Sequence, residues 1–284
     1  MKRLRNTLAA FFLCALLPGC GETTGADSPP TVAVSVLPLA YIVDRLAGDF
    51  VETVVMLPPG ASPTQYQPTV AQLRALADAS LYVKVGHPNF PFEATWLDRL
   101  LDGASGVPMV DASAGLAETG DPHVWLAPHN VAAMAAEVAD ALAGALPEHE
   151  AQVRANLAEL EREVGALDRE IRAIFESARA SGRGTAFLVQ HPAWGHFADA
   201  YGLEQVAVEH HHREPDPHAL SERIEWARRQ RLRVVFVQPQ LDSTPAETVA
   251  REIGARVVEL DPLAYDWAAN LREVAHAVSE GLSE

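Results

Sequence analysis

Residues 147–180 read PEHEAQVRANLAELEREVGALDREIRAIFESARA, and this segment decides the architecture. It holds no proline after Pro147. Leu157, Leu160, Val164, Leu167, Ile171 and Ile174 recur at three- and four-residue steps. That spacing lays one apolar stripe along a helix whose other faces are charged. About 34 residues at ~1.5 Å each reach ~50 Å. A helix of that kind is either a coiled-coil arm that dimerises or a rigid spine between two lobes. The flanking sequence favours the spine, because both sides carry material that needs a surface to pack on.

Working outward, short β-branched runs alternate with helical stretches on both sides. Upstream, strands are expected at Thr31–Val36, Val51–Leu57, Leu81–Val85 and Val107–Asp111, with helices at Pro38–Ala47, Val70–Ala79 and Phe92–Leu101. Downstream, strands are expected at Thr185–Gln190, Gln205–Glu209, Arg233–Gln238 and Arg256–Asp261. The helices there are Trp194–Tyr201, Pro217–Gln230, Pro245–Ile253 and Trp267–Gly281. Such alternation builds parallel sheets. The expected fold class is therefore α/β: two doubly wound parallel-sheet lobes, residues 31–146 and 181–284, joined by one long α-helix over 147–180.

The composition excludes several classes. The chain has 284 residues, 48% hydrophobic and 21% charged, a balance that supports a folded core. Asp and Glu number 38 against 22 Lys and Arg, a net charge of −16, so nothing neutralises a phosphate backbone and nucleic acid is not an expected partner. Cys14 and Cys20 are the only cysteines, which excludes a disulfide scaffold.

Both cysteines fall in an export signal. Lys2, Arg3 and Arg5 precede the apolar run Leu8–Leu17, which is too short to anchor in a bilayer. The run ends in Leu17-Pro18-Gly19-Cys20, which resembles a bacterial lipobox, so residues 1–20 read as a lipoprotein signal peptide with Cys20 as the acylated residue. Residues 21–30, GETTGADSPP, read as a flexible tether. The mature chain is expected outside the cytoplasm, at the periplasm or cell surface, anchored to the membrane through lipid.

Ligands of open α/β sheets bind beyond the carboxyl ends of the strands. Pro58–Tyr66, Gly86-His87-Pro88 and Asp121-Pro122-His123-Val124-Trp125 follow first-half strands. In the second half, His191-Pro192, Glu209 with His210–His212, Gln238 and Gln240, and Asp261-Pro262 do the same. Imidazole and carboxylate suit zinc and other first-row divalent ions. A single histidine after a strand is more often a loop residue bonded to backbone, and His210–His212 also read as a solvated loop. His196 lies five residues after His191, off a shared helical face, and reads as surface or packing.

Six segments carry a resemblance when taken together: PPGASPTQYQPT at 58–69, DPHVWLAP at 121–128, HPAWGHFADAYGL at 191–203, REPDP at 213–217, VFVQPQ at 235–240 and VVELDPL at 257–263. They resemble the metal-binding proteins of bacterial zinc and manganese ABC importers, the cluster with a rigid linking helix. The resemblance implies one Zn²⁺ or Mn²⁺ held as cargo between the lobes, an ABC permease as partner, no catalysis and a monomer. It implies His123, His191 and Asp261 as metal ligands. The family's first ligand is the histidine of a PHxY segment, which here reads Pro63-Thr64-Gln65-Tyr66. His87, in the same lobe, is a candidate substitute or else a turn residue with its ring in solvent, with His210 and His211 of the triplet at 210–212 as rivals from the opposite lobe. Three alternatives stand beside this reading. One is a binding protein of the same fold with changed cargo such as a metal chelate. A second is a zinc hydrolase using Glu209 as base. The third is an adhesive lipoprotein.

Overall fold

The computed structural model describes residues 29–103, 106–117, 119–209 and 217–282. The signal peptide with Cys20, and His210–His212, lie outside the described residues. Four strands, β1 (Thr31–Val34), β2 (Glu52–Val55), β3 (Leu81–Lys84) and β4 (Met109–Asp111), form a wholly parallel sheet in the order β2-β1-β3-β4. The second sheet repeats the scheme with β5 (Ala186–Val189), β6 (Glu204–Ala207), β7 (Val234–Val237) and β8 (Arg256–Glu259), ordered β6-β5-β7-β8. All eight strands fall within two residues of their expected ends. Val34 of β1 pairs with Val55 on one side and Val83 on the other. Central strands such as β5 and β7 are buried on both faces, which is why they read as unbroken apolar runs.

The lobe-one helices are α1 (Leu37–Ala47), α2 (Val70–Ala77), α3 (Pro91–Gly103) and α4 (Pro128–Ala145). Next comes α5 (Glu150–Ala180), preceded by a 3-10 turn at Pro147–His149. Lobe two adds α6 (Gly195–Tyr201), α7 (Pro217–Arg229), α8 (Thr244–Ile253) and α9 (Trp267–Gly281). Helix α4 is an element that the sequence analysis leaves unassigned. Its alanine-rich composition shows no single stripe, and it packs against both α1 and α5.

The spine is as expected. Helix α5 buries Val153, Leu160, Val164, Leu167, Ile171 and Phe175 against α4 and α1 of the first lobe and α9 of the second. At ~1.5 Å per residue it runs about 46 Å. Arg45 of α1 grips Glu163 with two hydrogen bonds of 2.7 and 2.9 Å, and Arg272 of α9 meets Glu170 at 2.8 Å. The stripe is thus consumed inside the chain and does not serve a coiled-coil arm.

Two tryptophans fasten the lobes directly. The indole N–H of Trp125 donates to the Pro262 carbonyl at 2.7 Å, and that of Trp267 donates to the Trp125 carbonyl at 2.7 Å. Both rings are fully buried in one continuous core that runs from lobe one through α5 to α9. A smaller core, including Leu188, Val235 and Val249, backs the far face of the second sheet.

Candidate metal centre

Each sheet has its switch point where the strand order reverses, between β1 and β3 and between β5 and β7. The lobes turn these edges toward each other, and a cleft of about 680 Å³ lies between them. Thr64, His123, Trp125, Gln190, His191 and Glu209 are among the residues lining it.

His123 is held by a tight local turn. The Asp121 carboxylate accepts the His123 backbone N–H at 3.0 Å and its Nδ1–H at 2.7 Å, both on Oδ1. A 3-10 turn over Val124–Leu126 then drives Trp125 into the core, and the Trp125 ring meets His123 edge-on at 5.6 Å. His191 follows β5 and is held the same way, its Nδ1–H donating to Glu209 Oε2 at 2.7 Å. Glu209 is placed by the sheet itself, since its backbone N–H bonds the Gln190 carbonyl at 3.0 Å. A carboxylate on Nδ1 fixes the tautomer and puts the ring lone pair on Nε2, the atom a metal takes. The two rings approach from opposite lobes with centroids 5.5 Å apart and planes at 78°.

Burial alone pushes the Asp121 carboxyl up. The hydrogen bond and charge of His123, its backbone N–H and the charge of His196 outweigh burial, and the net shift is below the ordinary aspartate range. Asp121 also crosses the lobe boundary. A Cβ built on Gly195, the first residue of α6, would lie 2.5 Å from Asp121 Oδ2. That oxygen is buried and has no hydrogen-bond partner among the described residues. His196 Nε2–H donates to the Asp121 carbonyl at 3.0 Å, so this half-buried histidine packs as an inter-lobe strut.

His87 and Asp261 are placed differently from expectation. The His87 ring is used on both nitrogens: Nε2–H donates to the Thr119 carbonyl at 3.0 Å and Nδ1 accepts the Asn89 N–H at 3.2 Å. It is 6% exposed and is not among the residues lining the cleft. Its loop is braced by Glu93, which accepts the Val85 and Gly86 N–H groups at 2.6 and 2.9 Å. Burial raises the Glu93 carboxyl, against the hydrogen bonds from Ser35, Gly86 and Val85 that lower it. Asp261 accepts Gln240 Nε2–H at 2.6 Å and the Leu263 N–H at 2.9 Å on Oδ1, capping the turn that carries Pro262 and Leu263 into the cleft wall. Thr64 sits on an exposed turn, its hydroxyl 3.0 Å from that of Ser62. Among the described residues, no three His, Cys, Asp or Glu side chains gather as a metal-holding group. None of the described helices is long and apolar enough to cross a membrane.

Two parallel-sheet lobes on a helical spine, with the His123 and His191 rings 5.5 Å apart between them, define a two-lobed binding-protein fold of the rigid-helix kind. Comparison with known proteins agrees. The family model for zinc-uptake complex component A, periplasmic, matches residues 32–281, and the chain belongs to that family. A crystal structure of ZnuA superposes with a TM-score of 0.84 at 33% identity, covering 89% of this chain and 99% of that one. The laminin-binding protein Lmb of Streptococcus agalactiae, described as bifunctional with adhesin and metal-transporting activity, gives a TM-score of 0.79 at 25% identity over 89% of this chain and 99% of its own. The zinc-binding lipoprotein AdcA of Streptococcus pneumoniae is 26% identical over 289 aligned residues, 93% of this chain and 56% of AdcA. The chain therefore spans about half the length of that relative.

Proposed function

We propose that this protein captures zinc between its lobes, outside the cytoplasm, and passes it to an ABC permease. The observation that carries the reading is the facing pair His123 and His191, each tied through Nδ1 to a carboxylate. Two imidazole nitrogen donors favour zinc over manganese, because nitrogen donors follow the divalent-metal affinity order while manganese prefers oxygen. The acidic surface favours cation approach. Acylation at Cys20 would hold the protein at the membrane beside its permease. Family membership in an uptake complex supports transport over catalysis.

Calorimetric zinc titration tests the site. His123→Ala and His191→Ala are each expected to weaken zinc binding at least tenfold, about 1.4 kcal/mol. Two variants that bind as tightly as the parent would show that the metal sits elsewhere.

A further inference from the structure

Residues 119–122 run between β4 and the 3-10 turn at Val124–Leu126, outside helix and strand. Among the described residues, no backbone–backbone hydrogen bond ties them down. Side chains from elsewhere take their carbonyls instead, three in a row. His87 Nε2–H donates to the Thr119 carbonyl at 3.0 Å, Asn89 Nδ2–H to that of Gly120 at 3.1 Å, and His196 Nε2–H to that of Asp121 at 3.0 Å.

The first two donors share one turn after β3, and that turn is itself fixed. Pro88 restricts His87 to extended geometry. The Asn89 N–H donates to His87 Nδ1 at 3.2 Å, and the Phe90 N–H to the His87 carbonyl at 3.0 Å. Glu93 accepts the N–H groups of Val85 and Gly86 just upstream. Gly86 has a φ of 78°, and a Cβ built there would lie 2.6 Å from the Asp111 Cβ, so the turn also presses on the end of β4. His87 and Asn89 are therefore donors on a rigid support, gripping a segment that has no ladder of its own.

That segment carries the metal histidine. Asp121 follows Gly120 directly, and its carboxylate holds both the N–H and the Nδ1–H of His123. Pro122 alone separates the two residues. A shift of the backbone at 119–120 thus moves Asp121 and turns the His123 ring. Loss of a carboxylate partner on a metal histidine typically costs about 10–100-fold in metal affinity.

We infer that His87 and Asn89 are positioning residues of the metal centre: by clipping the Thr119 and Gly120 carbonyls, they hold Asp121 and, through it, His123 where zinc is met. This rests on reading His123 as a zinc ligand, whichever other groups complete the shell. His87 then serves the site from outside it, with its Nε2 proton given to backbone and its Nδ1 lone pair taken by Asn89.

The test is calorimetric zinc titration of three variants, with zinc alone as the probe. Apo thermal unfolding checks that each is folded, and X-ray absorption counts the imidazoles on bound zinc. His87→Leu fills similar space and donates nothing; His87→Gln keeps an N–H donor. The expected result is about tenfold weaker binding in His87→Leu, recovery to within threefold of the parent in His87→Gln, and the parent's imidazole count in both. A merely structural role would not be rescued by the amide, and a ligand role would remove one imidazole. Asn89→Ala, at an exposed residue, is expected to cost about threefold, and it decides the matter if His87→Leu does not fold. The inference is overturned by a folded His87→Leu that loses less than threefold, by a lost imidazole, by a His87→Gln as weak as His87→Leu, or by parent-like affinity in Asn89→Ala. In each of those cases the parent still takes up zinc and the zinc-capture reading stands. A parent that takes up no zinc overturns both.

Discussion

Gly195→Ala separates what holds the lobes from what holds the metal. Gly195 begins α6, and its backbone needs no left-handed conformation, so alanine is sterically allowed there as far as the chain itself is concerned. By helix propensity the change favours folding by up to ~1 kcal/mol. The obstacle comes from the other lobe. The new Cβ would lie 2.5 Å from Asp121 Oδ2, and relieving such a contact requires movement of the order of 1 Å, with overpacking costs of about 1–3 kcal/mol. The two effects partly offset, so apo stability should lie between unchanged and about 3 kcal/mol lower.

Zinc binding should suffer as well, and by a separate route. The carboxylate that must move is the one that orients His123 through its 2.7 Å bond to Nδ1. Disturbing an outer carboxylate of this kind typically costs about 10–100-fold in metal affinity, or ~1.4–2.7 kcal/mol. Calorimetric titration and apo thermal unfolding measure the two quantities separately. Gly144→Ala in α4 is the control, since a Cβ there meets nothing within 4 Å. It should stabilise slightly and leave zinc binding alone. A Gly195→Ala protein that binds zinc within twofold of the parent would refute the claim that Asp121 positions His123.

Three further outcomes are expected. Trp267→Phe leaves the buried Trp125 carbonyl without its donor. It should cost about 1–3 kcal/mol and lower Tm by roughly 2–12 °C, read by calorimetry; an unchanged Tm would mean the indole bond fastens nothing. The Asp121 carboxyl lies below its usual range in the folded state. Its contribution is whole above the ordinary aspartate range and is lost as pH falls through the depressed value, so Asp121→Asn should flatten the acid limb of a stability–pH curve. Cys20→Ser should shift the protein from the membrane to the soluble fraction of lysed cells, and continued membrane attachment would exclude an acyl anchor at that residue.

How much was legible in the sequence depends on the range of the interaction. The eight strands and the spine were readable because periodicity is local: Leu160 and Val164 announce their shared face at four residues' separation. Helix α4 was not, since alanine suits a face packed on either side. The positions of His123 and His191 were also legible, because both follow strand ends and ligands gather there. Their chemistry was not.

The acceptor of His191 Nδ1 is Glu209, on the neighbouring strand's end and 18 residues away. His87 shows the same limit from the other side. Its place after β3 marks it as a candidate ligand, yet its ring is consumed by the Thr119 carbonyl 32 residues on. His196 is off the helical face of His191 by spacing, but it bonds Asp121 across the cleft, 75 residues away. Trp125 finds its carbonyl 137 residues downstream. Sequence by itself determined the lobes, the spine and that His123 and His191 follow strand ends at the cleft, because backbone preference and apolar spacing act over a few residues. Tertiary structure alone decided which ring nitrogens carry protons and which polar atoms stay unpaired, because a hydrogen bond depends on whichever group folding brings within about 3 Å.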